Sequence, residues 1–190
     1  TFCSSHNVFG RRARMRSALN IFNEIRALVE DFGVEKITFQ DDEVLCSRTR
    51  FLELCDLIIN ARMSIKMSIR TRIDSIDKEV ILKARAAGLT RISFGIENWN
   101  DETLKKINKN YNLRVIHQQF KVLEESGFPH ISFNNICGFP WETKQHFKGC
   151  LSEIRKIPRK IKFHAIVVTP IPYPKTQLYE CYHKSFNFTN

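Results

Sequence analysis

The amino-acid sequence predicts an α/β fold in which parallel strands alternate with helices, and three observations support this prediction. A pattern of glycine, three residues, isoleucine, a hydroxyl residue and phenylalanine occurs at residues 33–39, 88–94 and 127–133. Each copy follows an amphipathic stretch, and glycine commonly ends a helix in the left-handed conformation. Each copy also ends in a strand with one apolar and one polar face. The repeated unit is therefore a helix, a glycine stop, a short loop and a strand.

The individual elements follow from this pattern in chain order. The first helix is predicted to begin after Ser17, whose hydroxyl is suited to capping, and to end at Gly33. Two further units keep the order without the glycine. A strand over residues 65–70 follows a helical stripe made of Phe51, Leu54, Cys55 and Ile58. A strand over 163–168 follows a helix over 144–156. Five strands are expected in total, as in a parallel sheet of β/α units.

The two faces of the predicted strands differ in polarity. The apolar face should pack under the helices, and it carries Ile37, Phe39, Met67, Ile69, Ile92, Phe94, Ile131 and Phe133. The other face is small and polar, with Thr38, Gln40, Ser68, Ser93, Gly95, Ser132 and Asn134. Parallel strands buried on both faces are nearly all apolar, and a filled barrel holds branched apolar side chains. We therefore expect an open barrel whose polar interior, the lumen, holds a polar ligand.

Charged and amide side chains follow four successive strands. They are Asp41, Asp42, Arg70, Arg72, Glu97, Asn134 and Asn135. Ligands of α/β sheets and barrels bind at the carboxyl ends of the strands. For any single residue, the polarity of a solvent-exposed loop is an equal explanation. Because the feature recurs on four strands, a shared site is favoured.

The composition limits the class of protein and its partners. A hydrophobic content of 43% with 26% charged residues excludes a disordered chain, so residues 1–190 are expected to form one domain, with an irregular tail from about residue 180. No apolar run approaches the ~18 residues of a membrane span, and no signal peptide is evident, which predicts a cytoplasmic protein. The net charge of +10 indicates either an anionic partner such as nucleic acid or a solvated basic surface.

Several short fragments, taken together and in order, resemble the radical S-adenosylmethionine enzymes, especially the subgroup with an upstream cobalamin-binding domain. The resemblance extends from Phe2 to Tyr179. The fragments are Phe2-Cys3-Ser4-Ser5, Arg14-Met15-Arg16-Ser17, Phe39-Gln40-Asp41-Asp42, Thr71-Arg72-Ile73-Asp74, Ala87-Gly88 with Phe94-Gly95-Ile96-Glu97, Cys137-Gly138-Phe139-Pro140-Trp141-Glu142-Thr143, and Pro172-Tyr173-Pro174-Lys175-Thr176.

This resemblance implies a partial (β/α)6 TIM-like barrel and a set of cofactors. In the family, three thiolates bind a 4Fe-4S cluster, whose fourth iron takes the amino and carboxylate groups of S-adenosylmethionine. One electron then cleaves the molecule to methionine and a 5′-deoxyadenosyl radical. The resemblance further implies an electron donor such as flavodoxin or ferredoxin, and cobalamin bound by a domain outside this chain. Methylation or rearrangement of a small molecule is the expected reaction.

The resemblance also assigns roles near the beginning of the chain. Cys3 would be the third cluster ligand and the catalytic thiolate, and Phe2 would lie near the adenine. Asp41 or Asp42 would contact the methionine amino group. Two alternatives remain open at this point: Cys3 as an ordinary terminal thiol, and Asp41 as the cap of the next helix.

Further roles follow from the later strands. Arg72 would bind a carboxylate bidentately, and Glu97 would accept hydrogen bonds from both ribose hydroxyls. Asn134 and Ile136 would border the adenine. An ion pair of Arg72 with Asp74 or Asp77 is the structural alternative to a ligand contact.

The sequence also departs from the family pattern. It starts at Thr1, just before the third cluster cysteine, so the first strand and two cluster cysteines are expected upstream, and the fragment alone is expected to be inactive. Glu97-Asn98-Trp99 replaces the usual Glu-Ser-Gly, and Pro140-Trp141-Glu142-Thr143 replaces Pro-Gly-Glu-Thr.

Two other functions are consistent with the basic charge. One is a tRNA-modifying relative of the methylthiotransferases, and the other is a non-catalytic RNA-binding or scaffold remnant. Both depend on basic residues that would contact phosphates, namely Arg11, Arg12, Arg14, Arg16, Arg155, Lys156, Arg159, Lys160 and Lys162.

Overall fold

A computed structural model describes residues 2–10, 12–128 and 130–186. Its strands are β1 (Lys36–Thr38), β2 (Lys66–Thr71), β3 (Leu89–Glu97), β4 (His130–Ile136) and β5 (Lys162–Val168). Its helices are α1 (Ser5–Phe9), α2 (Ala18–Phe32), α3 (Arg48–Asn60), α4 (Lys78–Ala86), α5 (Asp101–Lys106), α6 (Leu113–Glu125), α7 (Lys144–Ile154) and α8 (Gln177–Tyr182). All five predicted strands are present in the order expected.

The strands form one parallel sheet in the order β1-β2-β3-β4-β5. Each strand returns to pair with its predecessor after at least one intervening helix, as parallel β/α units require. Helices α2, α3 and α4 pack against one another in the same sequence. The α/β prediction is confirmed, and the parallel sheet is consistent with the partial TIM-like barrel.

Capping side chains explain where the helices begin, and glycines explain where three of them end. Ser17 accepts a hydrogen bond from the Asn20 amide at 3.1 Å, and α2 ends at Gly33, whose φ of 65° lies in the left-handed region. Gly88 and Gly127 have φ values of 97° and 62° after α4 and α6. The other helices that begin with a capping side chain use Ser47, Asp77, Asn100, Asn112, Thr143 and Thr176.

The core lies between the apolar face of the sheet and the helices. Met67, Ile92, Phe94 and Phe133 are at most 1% exposed, as the alternation of polarity predicted. The helical stripe of α3 is equally buried. The two edge strands are less buried than the central ones. Ile37 and Phe39, predicted for the apolar face, are only half-buried at and after β1, and most side chains of β5 are exposed.

The helices are short relative to a bilayer. The longest in the described ranges is α2, with 15 residues. In this part of the chain, no helix has the length and apolar character needed to cross a membrane.

Candidate functional site

The carboxyl ends of β1 to β4 bring most of the predicted polar residues to one edge of the sheet, called here the carboxyl edge. At the end of β1 the two aspartates diverge. Asp42 Oδ1 lies 3.9 Å from Arg70 Nη1 on β2, whereas Asp41 lines a groove beside Phe39 and Arg50. The alternative role of Asp41 as a helix cap is wrong, because Ser47 caps α3.

Arg72, which follows β2, already has an acidic partner. Its Nε and Nη2 donate to the two carboxylate oxygens of Asp74 at 2.9 and 2.7 Å, and its guanidinium lies 5.5 Å from the centroid of the Tyr111 ring. The hydrogen bonds to Asp74 raise the pKa of Arg72. The ion pair that the sequence left open is therefore present, and a ligand carboxylate would share Arg72 with Asp74.

Glu43 is a residue of this edge that the sequence reasoning missed. Its carboxylate accepts hydrogen bonds from the Thr71 hydroxyl and, at 2.7 Å, from the Arg72 amide. Glu43 thereby connects the loop after β1 to the end of β2. Its position directly after Asp41 and Asp42 was the only signal available in the sequence.

Glu97 ends β3 with an unusual backbone. Its φ of 70° lies in the left-handed region, and the pairing register with β4 shifts between Gly95 and Glu97. Its side chain is 13% exposed, and Oε1 lies 3.4 Å from Lys109 Nζ. No described residue gives Oε2 a hydrogen bond, and this oxygen is not among the buried unpaired atoms, so it remains open to a ligand.

Burial changes the acid–base behaviour of this group. Desolvation raises the pKa of Glu97 above its ordinary value, and the nearby Lys109 ammonium opposes this shift. Desolvation lowers the pKa of Lys109, while Glu97 opposes that change. Burial also raises the pKa of Tyr111. Lys109 and Tyr111 belong to the segment between α5 and α6, which the sequence reasoning did not single out.

At the end of β4, alternate residues face opposite sides of the sheet. Asn134 is half-buried and lies in register with Gly95 and Ile166 on the lumen face. Asn135 is buried on the helix side, where its Nδ2 lies 2.8 Å from the sulfur of Cys137. Ile136 is also buried. Of the two asparagines grouped by the sequence, only Asn134 faces the lumen.

The loop after β4 is connected to β3 by Glu142. Its Oε2 accepts hydrogen bonds from the Gly138 and Phe139 amides at 2.8 and 3.0 Å. Its Oε1 accepts from Asn98 Nδ2 at 2.7 Å, and the same amide donates to the Ile136 carbonyl. Asn98, a departure from the family pattern, therefore ties the ends of β3 and β4 together. In the sequence, Glu142 is distinguished only as part of the fragment over residues 137–143.

Phe2 and Cys3 lie next to this loop. The half-buried Phe2 ring packs edge-on against Phe139, with centroids 6.3 Å apart, and Phe139 stacks on Trp141 at 4.8 Å. Cys3 is exposed, with its sulfur 3.3 Å from the Ser5 hydroxyl at the start of α1. Phe2 therefore connects the beginning of the chain to the loop that follows β4.

A complete cluster site is not formed by the described residues. Within ranges 2–10, 12–128 and 130–186, no three His, Cys, Asp or Glu side chains are grouped to hold a metal. An exposed thiol such as Cys3 has the donor chemistry of an iron ligand, and it supplies one. The described residues therefore do not hold a 4Fe-4S cluster by themselves.

The basic residues predicted to contact phosphates are dispersed. Arg14 donates to the Phe9 carbonyl and lines the groove that also contains Asp41. Arg16 pairs with Glu24, and Lys156 lies 2.6 Å from Glu153. Arg159 and Lys160 are exposed between α7 and β5. Arg11 lies outside the described residues.

Comparison with known proteins gives a consistent family. A family model described as the radical SAM superfamily matches residues 1–154. The chain is 26% identical over 179 residues to an uncharacterized methyltransferase of Pyrococcus horikoshii, covering 94% of the chain and 38% of that protein. It is 31% identical over 150 residues to the anaerobic magnesium-protoporphyrin IX monomethyl ester cyclase of Cereibacter sphaeroides, covering 76% and 24%. The chain thus spans well under half the length of these relatives.

The fold is also shared with a solved structure. The radical S-adenosylmethionine methyltransferase TsrM of Kitasatospora setae, solved with cobalamin and a [4Fe-4S] cluster bound, superimposes with a TM-score of 0.68. The match covers 83% of this chain and 29% of that one, at 16% identity. At this identity, the likeness shows a common fold.

Proposed function

Because the chain belongs to the radical S-adenosylmethionine superfamily, we propose that its carboxyl edge binds S-adenosylmethionine for reductive cleavage to methionine and a 5′-deoxyadenosyl radical. The observation that carries this proposal is the Glu97 carboxylate. It is largely buried at the end of the central strand, with one oxygen held by Lys109 and the other open. An acidic side chain in this position is a suitable acceptor for two ribose hydroxyls.

The remaining contacts to the ligand are assigned by their place on the same edge. Asn134 borders the adenine from the lumen face, and Ile136 provides apolar contact at the end of β4. Asp42 is the better candidate of the two aspartates for the methionine amino group, since it lies beside Arg70 at the edge. Arg72 binds the methionine carboxylate while retaining Asp74, which orients its guanidinium.

Cys3 is proposed as one ligand of a 4Fe-4S cluster in the full-length protein. Phe2, which packs against Phe139 of the loop after β4, is proposed to lie near the adenine. Bound at Cys3, the cluster would supply the electron for cleavage. The protein residues supply position: Glu97 holds the ribose, and Asp42 and Arg72 hold the methionine end. Water exclusion by Phe2 and Phe139 would protect the radical from solvent.

The reaction that follows cleavage is proposed from the relatives. A methyltransferase and a cyclase are among them, and the TsrM structure contains cobalamin. We therefore favour methylation or rearrangement of a small molecule, with cobalamin held by a domain outside this chain and electrons from a flavodoxin or ferredoxin.

The test uses the full-length protein, purified without oxygen and reconstituted with iron and sulfide. With dithionite and S-adenosylmethionine, we expect 5′-deoxyadenosine to accumulate. Cys3→Ala should lose cluster iron and abolish the product, because a thiolate ligand is removed. Cys181→Ala, at another exposed cysteine, is the matched control and should remain active. A wild-type protein that binds about four irons, as the proposed cluster requires, but never forms 5′-deoxyadenosine would contradict the proposal.

A further inference from the structure

The end of β3 is fixed by hydrogen bonds that other segments donate to the Gly95 carbonyl. Glu97, two residues later, adopts φ of 70°, a left-handed conformation that is unfavourable for a non-glycine residue. A strand end with this geometry persists only if its surroundings hold it. The pairing with β4 is irregular at this point, so the sheet does not provide that support.

Lys109 supports both ends of the irregular segment. Its Nζ donates to the Gly95 carbonyl at 2.9 Å and lies 3.4 Å from Glu97 Oε1. The Lys109 side chain is 14% exposed, and a lysine this buried is held by its partners because the desolvation of its charge is otherwise uncompensated. One ammonium therefore ties the backbone of β3 to the carboxylate that the proposed function requires.

Tyr111 completes the arrangement from the same segment. Its hydroxyl donates to the Gly95 carbonyl at 2.8 Å, and its ring lies 5.8 Å from Lys109 Nζ and 5.5 Å from the Arg72 guanidinium. The Tyr111 side chain is buried. The Gly95 carbonyl thus accepts two hydrogen bonds, and the ring links Lys109 to the end of β2.

The space above Gly95 is occupied by the same carboxylate. A Cβ at Gly95 would lie 2.6 Å from Glu97 Oε1, so the carboxylate bends back over the glycine toward Lys109. This orientation leaves Oε2 as the oxygen available to a ligand. Without the ammonium, the buried carboxylate has no cationic hydrogen-bond partner among the described residues.

We propose that Lys109 is the positioning residue for Glu97. Tyr111 supports it by donating to the same Gly95 carbonyl that Lys109 binds. The Lys109–Tyr111 pair orients the carboxylate for the ribose hydroxyls of S-adenosylmethionine and so determines the affinity for this ligand. The inference rests on the proposed role of Glu97. It adds a residue outside the strands, in the connection between α5 and α6, to the site.

The test is a double-mutant cycle on S-adenosylmethionine binding by the full-length, cluster-reconstituted protein. Lys109→Met should weaken binding by about 10- to 100-fold, the loss expected when a charged hydrogen bond is removed from a buried partner. Lys109→Arg should recover most of the affinity. In a Glu97→Gln background, Lys109→Met should have little further effect, because the residue acts through Glu97. Lys105→Met, at an exposed lysine of α5, is the control.

The pH dependence gives a second readout that a purely structural role would not change. The groups that act electrostatically with Glu97 are Lys109 and Tyr111, both from the segment between α5 and α6. Arg72 and Asp74, after β2, act in turn on Lys109 and Tyr111. Since Lys109 opposes the rise in the pKa of Glu97, its removal should move the loss of binding on acidification to higher pH. Thermal unfolding of each variant checks that it is folded.

The outcomes separate the two proposals. If the wild type does not bind S-adenosylmethionine, or Glu97→Gln binds it normally, the proposed site is wrong and the positioning role is wrong with it. If Glu97→Gln weakens binding but Lys109→Met does not, or weakens it equally in both backgrounds with no change in pH dependence, the positioning role alone is overturned.

Discussion

Glu97 is the single residue on which the proposed binding depends most. Glu97→Ala in the full-length protein should weaken S-adenosylmethionine binding by about 1–3 kcal/mol, because hydrogen bonds to a charged group are lost. Equilibrium dialysis with labelled ligand measures the change. An unchanged affinity would remove Glu97 from the ribose role.

Gly95→Ala tests the role of the same carboxylate without replacing Glu97 itself. The new methyl group would lie 2.6 Å from Glu97 Oε1 and would displace it from Lys109. We expect roughly a tenfold weaker affinity for S-adenosylmethionine. Alanine can adopt the backbone conformation of Gly95, since this residue is not in the left-handed region. Normal affinity would show that the orientation of the carboxylate is unimportant.

Among individual residues, the site residues at strand ends could be predicted from the sequence, whereas those in the connections between elements could not. Glu97 and Asn134 could be placed because each ends a strand of the repeated unit. Lys109 and Tyr111 could not, because they reach β3 from a connection without periodicity, and their importance depends on burial. The sequence left Asp74 and Asp77 open as partners of Arg72, and the hydrogen bonds in the structure identify Asp74.

Among the secondary-structure elements, the glycines that end α2 and α4 can be tested by their effect on stability. Gly88 has φ of 97°, and a Cβ there would overlap the Ile65 carbonyl oxygen, whereas Gly33 has φ of 65° and open space around it. Gly88→Ala should therefore lower the free energy of unfolding by more than about 2 kcal/mol, and Gly33→Ala by about 1 kcal/mol. Denaturant unfolding measures the free energy of unfolding of both variants. Equal decreases would contradict the close approach of Gly88 to the Ile65 carbonyl, just before β2.

The beginning of α4 offers a test of pH dependence. Asp77 caps this helix by accepting from the Val80 amide at 2.8 Å, and Arg48 Nε lies 3.0 Å away. Burial would raise the pKa of Asp77, but the Val80 amide and Arg48 outweigh this effect and hold the pKa below its ordinary value. A carboxyl with a lowered pKa stabilises the fold above its unfolded pKa, and this contribution is lost as the pH falls through the folded pKa.

Asp77→Asn isolates that charge because asparagine caps helices nearly as well as aspartate. The wild type should be more stable than Asp77→Asn at neutral pH, and the difference should shrink on acidification below about pH 4, near the ordinary pKa of aspartate. Urea unfolding across this range measures it. A difference that is independent of pH would show that the charge contributes nothing.

The elements themselves were largely predictable, for physical reasons. Helical spacing of apolar residues and a hydroxyl cap are local signals, so α2 was predicted to begin after Ser17 and to end at Gly33, as observed. The apolar stripe of α3 was predicted from its spacing alone. The two faces of the strands follow from alternation. The irregular pairing at the end of β3 was not predictable, since it depends on contacts between segments distant in sequence.

For the molecule as a whole, the charge of +10 leaves a second function to be tested. A tRNA-modifying enzyme would bind tRNA through basic residues, with an affinity that falls steeply as salt is added. The small-molecule proposal expects no such binding at physiological salt. Filter binding with wild type and an Arg159→Ala/Lys160→Ala double variant distinguishes them: salt-sensitive binding that the double variant loses would favour the tRNA enzyme.

We propose the carboxyl edge around Glu97 as the S-adenosylmethionine site of this protein. The most direct measurement is a crystal structure of the full-length, cluster-reconstituted protein with S-adenosylmethionine bound. We expect the ribose hydroxyls within hydrogen-bond distance of the Glu97 carboxylate and the adenine beside Asn134 and Ile136. Lys109 should still be bound to Glu97 and to the Gly95 carbonyl. A ligand whose ribose lies away from Glu97, or at the amino ends of the strands, would contradict this proposal.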